Sequence, residues 1–192
     1  MRLVFATHNA HKVSEIKPIL PASVNLVSLH NLGFNEEIPE TGDTLAANAL
    51  QKADYIYTRL NCACFADDTG LEVTALGGRP GVYSARYAGE NKSADDNIEK
   101  LLTELKGKKD RSAVFKTVIA VIIEGKPKLF EGMVKGTISE KKTGDKGFGY
   151  DPVFIPEGHS KSFAQMTREE KNRISHRGLA VKKFAAFLKE II

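Results

Sequence analysis

Cysteine is scarce: only Cys62 and Cys64 occur among 192 residues. Two cysteines cannot build a four-cysteine zinc site. At i and i+2 of an extended segment they share a face, which is poor geometry for a mutual disulfide. They read as two small buried hydrophobes in a reducing compartment. Long apolar runs are lacking too. Met1-Arg2 leads directly into Leu3-Val4-Phe5-Ala6, too short for a signal-peptide core or a membrane span, and nothing later is long enough. The expectation is a cytoplasmic protein with no membrane partner. An excess of one charge sign is also missing. The net charge is +4, from 28 Lys+Arg against 24 Asp+Glu, with both signs interleaved along the chain. That balance suits a small polyanionic ligand at least as well as a nucleic acid, and no nucleic-acid-binding motif appears. There is no internal repeat, low-complexity tract, flexible linker or GxxxxGK[ST] loop.

What is present centres on Cys62-Ala63-Cys64-Phe65-Ala66-Asp67-Asp68-Thr69-Gly70. A short apolar run that meets two acids, a hydroxyl and a glycine reads as a buried strand stopping at a turn. In open α/β sheets, ligands bind just beyond the carboxyl ends of such strands. Two acids there are costly to desolvate without a positive partner, and magnesium suits carboxylate oxygens. The alternative is an exposed Asx-type turn.

The remaining segments alternate. A first strand, Leu3 to Ala6, stops at Thr7-His8-Asn9 and is followed by a helix from Ala10 that ends near Pro21, with Val13, Ile16 and Leu20 on one face. Such a turn offers backbone N–H groups to an anion, with Lys12 adding charge; the alternative is a plain helix cap and a surface lysine. Val24 to Leu29 reads as a strand, and Asn35 to Asp43 as an acidic loop. Thr44 caps a helix to about Leu60 whose apolar stripe leaves Lys52 off centre. Leu71 to Val73 reads as a separate short strand. Ser93 caps a helix to about Lys106. Ser112 to Ile123 and Lys128 to Ile138 read as a hairpin joined by Gly125-Lys126-Pro127. Val153 to Ile155 is a short strand, Thr167-Arg168-Glu169-Glu170 is a capping-box pattern, and a last helix runs to Ile192. The fold class is therefore α/β: one domain, residues 1–192, with two lobes, a central twisted mixed sheet flanked by helices, and an active-site cleft between the lobes.

Five motifs then occur in order. They are Thr7-His8-Asn9-Ala10-His11-Lys12; Glu40-Thr41-Gly42; Phe65 to Val73 with Asp67-Asp68-Thr69-Gly70; Phe148-Gly149-Tyr150-Asp151-Pro152; and Ser175-His176-Arg177. Together they resemble the inosine triphosphate pyrophosphatase family over essentially the whole chain. Thr69 stands where many members have serine, and both carry a hydroxyl. The resemblance implies magnesium-dependent hydrolysis of dITP, ITP and XTP to the monophosphate and pyrophosphate by a cytoplasmic homodimer. That activity keeps deaminated purines from a polymerase.

The resemblance also implies residue roles. Asp68 is the catalytic acid, as magnesium ligand or water-activating base, and Glu40 is the second metal ligand. Two carboxylates suffice, because magnesium keeps waters and takes phosphate oxygens. Thr7, His8, Asn9, Ala10, His11 and Lys12 cradle phosphates, with Lys52 and Thr69 beside them and Lys171 and Arg177 adding charge. Phe148, Gly149, Tyr150, Asp151, His176 and Arg177 form the base pocket. Hydrogen-bond donors opposite the 6-oxo group would reject adenine, which carries an amino group there. Two rival readings remain: an aspartyl-nucleophile phosphatase, which requires two aspartates one residue apart, and a nucleic-acid-binding module.

Overall fold

The computed structural model describes residues 1–192. Seven strands form one mixed sheet: β1 (Arg2–Phe5), β2 (Asn25–Ser28), β3 (Cys64–Val73), β4 (Pro80–Gly81), β5 (Ser112–Ile123), β6 (Lys126–Ile138) and β7 (Phe154–Pro156). Their order is β2-β1-β3-β5-β6-β7, with β4 on β3. β1 runs parallel to both β2 and β3, while β6–β7 and β3–β4 are antiparallel. The five helices are α1 (Ala10–Ile16), α2 (Leu45–Leu60), α3 (Ala94–Glu104), α4 (Arg168–Ile174) and α5 (His176–Ile191). None is long and apolar enough to cross a membrane.

The chain divides into two compact units, and β3, β5 and β6 contribute residues to both. The first comprises Met1–Asp68, Thr117–Gly132 and Arg177–Ile192. Its core gathers Leu3, Phe5, Ile16, Phe65, Ile119, Val121, Phe130 and one face of α5, including Phe184 and Leu188. Phe5 and Phe65 stack at 4.3 Å across the β1–β3 register. The second comprises Thr69–Lys116 and Met133–His176. Its core holds Leu71, Val73, Ile98, Leu101, Phe115, Tyr150, Phe154 and Phe163.

Local chemistry explains most boundaries. Thr44 accepts from the Ala47 N–H and caps α2; Ser93 accepts from the Asp96 N–H and caps α3. The capping box at Thr167 and Glu170 forms as expected. β5 is rich in β-branched residues, which fit a pleated surface buried on both faces.

Four expectations need correction. α1 stops at Ile16 rather than near Pro21, because Pro18 cannot continue the i→i−4 ladder. The β5–β6 connection is Glu124-Gly125, both with positive φ (51° and 73°), as a two-residue turn of this kind demands. The last helical stretch is two helices, broken where Ser175 turns extended. Most consequentially, Asp67-Asp68-Thr69-Gly70 is no turn: β3 runs through it unbroken to Val73.

Candidate active site

A strand can pass through two adjacent buried acids only if each is neutralised, because an unpaired buried carboxylate costs several kcal/mol (~3–5 for a broken pair). Neighbours on a strand point to opposite faces, and each aspartate meets its own cations. Asp67 accepts from Lys12 Nζ at 2.9 Å through Oδ1 and from Arg177 Nε at 3.3 Å through Oδ2. Arg177 Nη1 donates in turn to Glu15 Oε2 at 2.6 Å. Asp68 accepts from Lys52 Nζ at 3.3 Å and from Asn48 Nδ2 at 3.1 Å. Lys52 Nζ also donates to Glu40 Oε1. All of these residues belong to the first unit.

The electrostatics separate the two aspartates. Burial pushes both carboxyls up. At Asp67 that push is overcome by Lys12, Arg177 and Lys52, which hold the carboxyl well below its ordinary 3.8. At Asp68 burial wins over Lys52 and Lys12, and the carboxyl titrates above 3.8. Burial lowers Lys12, outweighing the attraction of Asp67. For Lys52, burial opposes the charge, but Asp68 and Glu40 more than compensate and raise it. Asp67 is thus a fixed structural anion, while Asp68 is the more basic of the two.

Two short polar links hold the Glu40 loop in place. Asn48 Oδ1 accepts from the Gly42 N–H at 2.7 Å while its Nδ2 serves Asp68. Gln51 accepts from the Thr41 N–H and donates to Thr41 Oγ1, both at 2.9 Å. Gly42 is required here, since a Cβ would lie 2.7 Å from the Ala47 Cβ. Glu40 and Asp68 both reach one ammonium group, so their oxygens already converge on a cation. That hard oxygen-donor pair fits magnesium, which takes one or two protein carboxylates. No group of three or more His, Cys, Asp or Glu side chains gathers as a metal site, here or elsewhere.

At the head of α1, Asn9 Oδ1 accepts from the backbone N–H groups of His11 and Lys12, and Thr7 Oγ1 accepts from the Asn9 N–H. The cap therefore uses N–H groups that were expected to face an anion. Ala10 and His11 are exposed, and His8 Nε2 lies 3.0 Å from the Glu36 carbonyl oxygen. Lys12 is the charged group that this segment brings to the acids.

The second unit carries the remaining residues. Lys171 Nζ donates to Asp151 Oδ2 at 2.6 Å, and the Phe148 N–H donates to the same oxygen at 2.8 Å. Lys171 is 4% exposed, so it is no solvated helix-face lysine. The Phe148 ring, half-buried, lies 5.2 Å from the Lys171 ammonium. Gly149 takes φ +59° with open space where a Cβ would be. Tyr150 is buried, donates to the Ser84 carbonyl at 2.9 Å, and has its phenol pushed up by burial. It is a core aromatic, unlike the half-buried Phe148. His176 is buried and stacks on Phe115 at 4.4 Å. Thr69 follows the acids on β3.

Arg177, expected to serve as a base or phosphate contact, has carboxylate partners in Glu15 and Asp67. Glu15, Asn48, Gln51 and Gly147 escaped the sequence reading. A Cβ on Gly147 would collide with the Asp151 carboxylate. Asn48 and Lys52 stand four residues apart on a helix, a detectable polar pair, and Glu15 follows Lys12 by three. An open cavity of about 520 Å³ lies against Ala47, Asp54, Tyr57, Ile122 and Pro127. None of the clustered acids or lysines lines it, so charge chemistry rather than concavity defines the site.

An α/β fold with a parallel βαβ start, a carboxylate pair gathered on a lysine and buried basic residues defines a class of site: one whose charges would fit a phosphorylated ligand and a magnesium ion chelated to it. The Ham1 family profile matches residues 3–187, and the chain belongs to the Ham1 family. It is 55% identical to the dITP/XTP pyrophosphatase of Christiangramia forsetii, over 98% of this chain and 99% of that one. Identity to the dITP/XTP pyrophosphatase of Bacillus subtilis is 50%, covering 96% of each. The Ham1 protein of Staphylococcus aureus matches in structure with a TM-score of 0.90 at 42% identity, covering 100% of both chains.

Proposed function

We propose that this protein is a nucleoside-triphosphate pyrophosphatase that hydrolyses deaminated purine nucleotides, dITP, ITP and XTP, to the monophosphate and pyrophosphate. The observation that carries the reading is the meeting of Glu40 and Asp68 on Lys52, beside Lys12 held by Asp67, in a member of the Ham1 family. Glu40 and Asp68 would hold magnesium, which would offset charge on the phosphate oxygens. Lys12 and Lys52 are the cations for the triphosphate, with Thr7, His8, Asn9, Ala10 and His11 lining its approach and Thr69 offering a hydroxyl. A water oxygen bonds to the α-phosphorus, the α–β bridging bond breaks, and pyrophosphate leaves with its electron pair. Asp68, whose basicity burial raises, accounts for the water's proton or for metal binding.

Residues of the second unit would take the base. Phe148 offers a ring for stacking, Gly149 an open backbone, and Asp151 with Lys171 a rigid polar pair. Tyr150 and His176 would shape that region from the core. Donors at the 6-oxo position would favour hypoxanthine and xanthine over adenine. A homodimer acting in the cytoplasm, binding neither nucleic acid nor membrane, completes the proposal.

The test is a product assay on ITP, XTP, GTP and ATP, with magnesium and with a chelator. The expected result is monophosphate and pyrophosphate, fast from ITP and XTP and lost with chelator. Diphosphate and orthophosphate would overturn the reading in favour of a phosphatase.

A further inference from the structure

Glu15 has no role in the chemistry described above, yet it is a buried acid on a seven-residue helix that also carries Lys12. The two stand three residues apart, and so on neighbouring positions of one helix face. Both connect to Asp67, Lys12 directly and Glu15 through Arg177. The result is an alternating chain: Lys12, Asp67, Arg177, Glu15. Its formal charges balance, two positive and two negative. Its contacts are unequal. Arg177 lies 2.6 Å from Glu15 and 3.3 Å from Asp67.

We infer that Glu15 is a positioning residue that, by drawing Arg177 toward itself, leaves Asp67 able to hold Lys12 in place for the phosphate chain. The inference rests on the proposed role of Lys12 as a phosphate contact. A guanidinium is a rigid fork with a fixed set of donors. Glu15 engages one end of it and restrains its turn toward Asp67. Without the Glu15 charge, the buried Arg177 charge must be met more fully by Asp67. A carboxylate drawn onto a guanidinium is a weaker anchor for an ammonium group at its other oxygen. Lys12 then samples more positions, and each bound phosphate must order it again. That cost falls on ground state and transition state alike, so it appears in KM rather than kcat.

The experiment compares the full-length wild type with Glu15→Gln and Glu15→Asp. Three quantities are measured: kcat and KM for ITP, affinity for inorganic tripolyphosphate by calorimetry, and melting temperature. Glu15→Gln is expected to raise KM about tenfold, to weaken tripolyphosphate binding about tenfold, and to lower kcat less than about threefold. Glu15→Asp keeps the charge on a shorter stem and is expected to raise KM by only about threefold. A lowered melting temperature with KM and tripolyphosphate affinity within about twofold of wild type would overturn the inference, since Glu15 would then be only a brace. If Glu15→Gln does not fold, Glu15→Asp decides: a raised KM supports the inference and an unchanged KM overturns it. If wild type does not hydrolyse ITP but Glu15→Gln still loses tripolyphosphate affinity, the proposed reaction fails and the role of Glu15 stands. Normal ITP turnover with no change in affinity gives the reverse.

Discussion

Asp151 and Lys171 of the second unit meet at 2.6 Å, among Phe148 and Phe163, whose rings lie 5.2 and 5.7 Å from the ammonium. Asp67 of the first unit instead divides its carboxylate between Lys12 and Arg177, and Lys52 adds attraction from further off. One acid is fastened by a short ion pair and a backbone N–H, the other by a group of cations that are themselves shared. A tight pair gives rigidity, because losing either member strands the other in apolar surroundings. A shared group gives tolerance and adjustability: a lost cation is partly replaced by its neighbours, and a ligand's charge can be exchanged for one already there. The first arrangement suits a frame that fixes the Phe148 segment. The second suits chemistry on a polyanion.

The largest expected effect breaks the first unit's chemistry without breaking its fold. Asp68→Asn removes the more basic carboxylate but keeps its shape, and Lys52 still has Glu40 as a partner. Turnover of ITP should fall at least about 1,000-fold, as for loss of a group acting on the reacting atoms, with the melting temperature little changed. Retention of more than roughly a tenth of wild-type kcat would exclude Asp68 from the reaction.

The next effect is on stability, and it tests the comparison itself. Lys171→Met should cost about 3–5 kcal/mol in denaturant unfolding, since it leaves Asp151 charged and buried. Lys12→Met should cost less, about 1–3 kcal/mol, because Arg177 and Lys52 remain to compensate Asp67. The double variant Asp151→Asn with Lys171→Met should recover part of the larger loss. Equal costs for the two lysines would mean that sharing protects nothing.

The same contrast explains what could be read in the sequence. Caps, apolar stripes and the two long strands rest on local chemistry, and Thr44, Ser93 and Thr167 behave as their side chains dictate. The acids at 67 and 68 read locally as the turn that ends a strand, because their neutralising partners are distant in sequence. Lys12 is 55 residues away from Asp67, and Arg177 is 110. Adjacent acids next to glycine are turn chemistry until those cations are known. Lys171 and Arg177 could each pass for a solvated helix charge, because burial is a tertiary property that their spacing does not encode. Pro18 stands in the sequence as a local stop signal, yet the apolar spacing through Leu20 carries the expected helix past it to Pro21, whereas α1 ends at Ile16.

The smallest effect is a pair of titrations that should move in opposite directions. In the metal-free protein, carboxyl carbon NMR should find Asp68 titrating above 3.8 and Asp67 still ionised below it. The signs follow from linkage. A depressed folded value means that Asp67 stabilises the fold at every pH above 3.8, a contribution lost as pH falls from there through the folded value. A raised folded value means that Asp68 is penalised as a carboxylate at neutral pH, and the penalty is relieved as pH falls through its folded value. Each variant should disturb mainly one of them. Lys12→Met removes the largest attraction on Asp67 and should raise its midpoint most. Lys52→Met removes the largest attraction on Asp68 and should push that midpoint higher still. If Lys12→Met moved Asp68 more than Asp67, the two faces of β3 would form a single undivided charge cluster. The assignment of Asp67 to structure and Asp68 to chemistry would then fail.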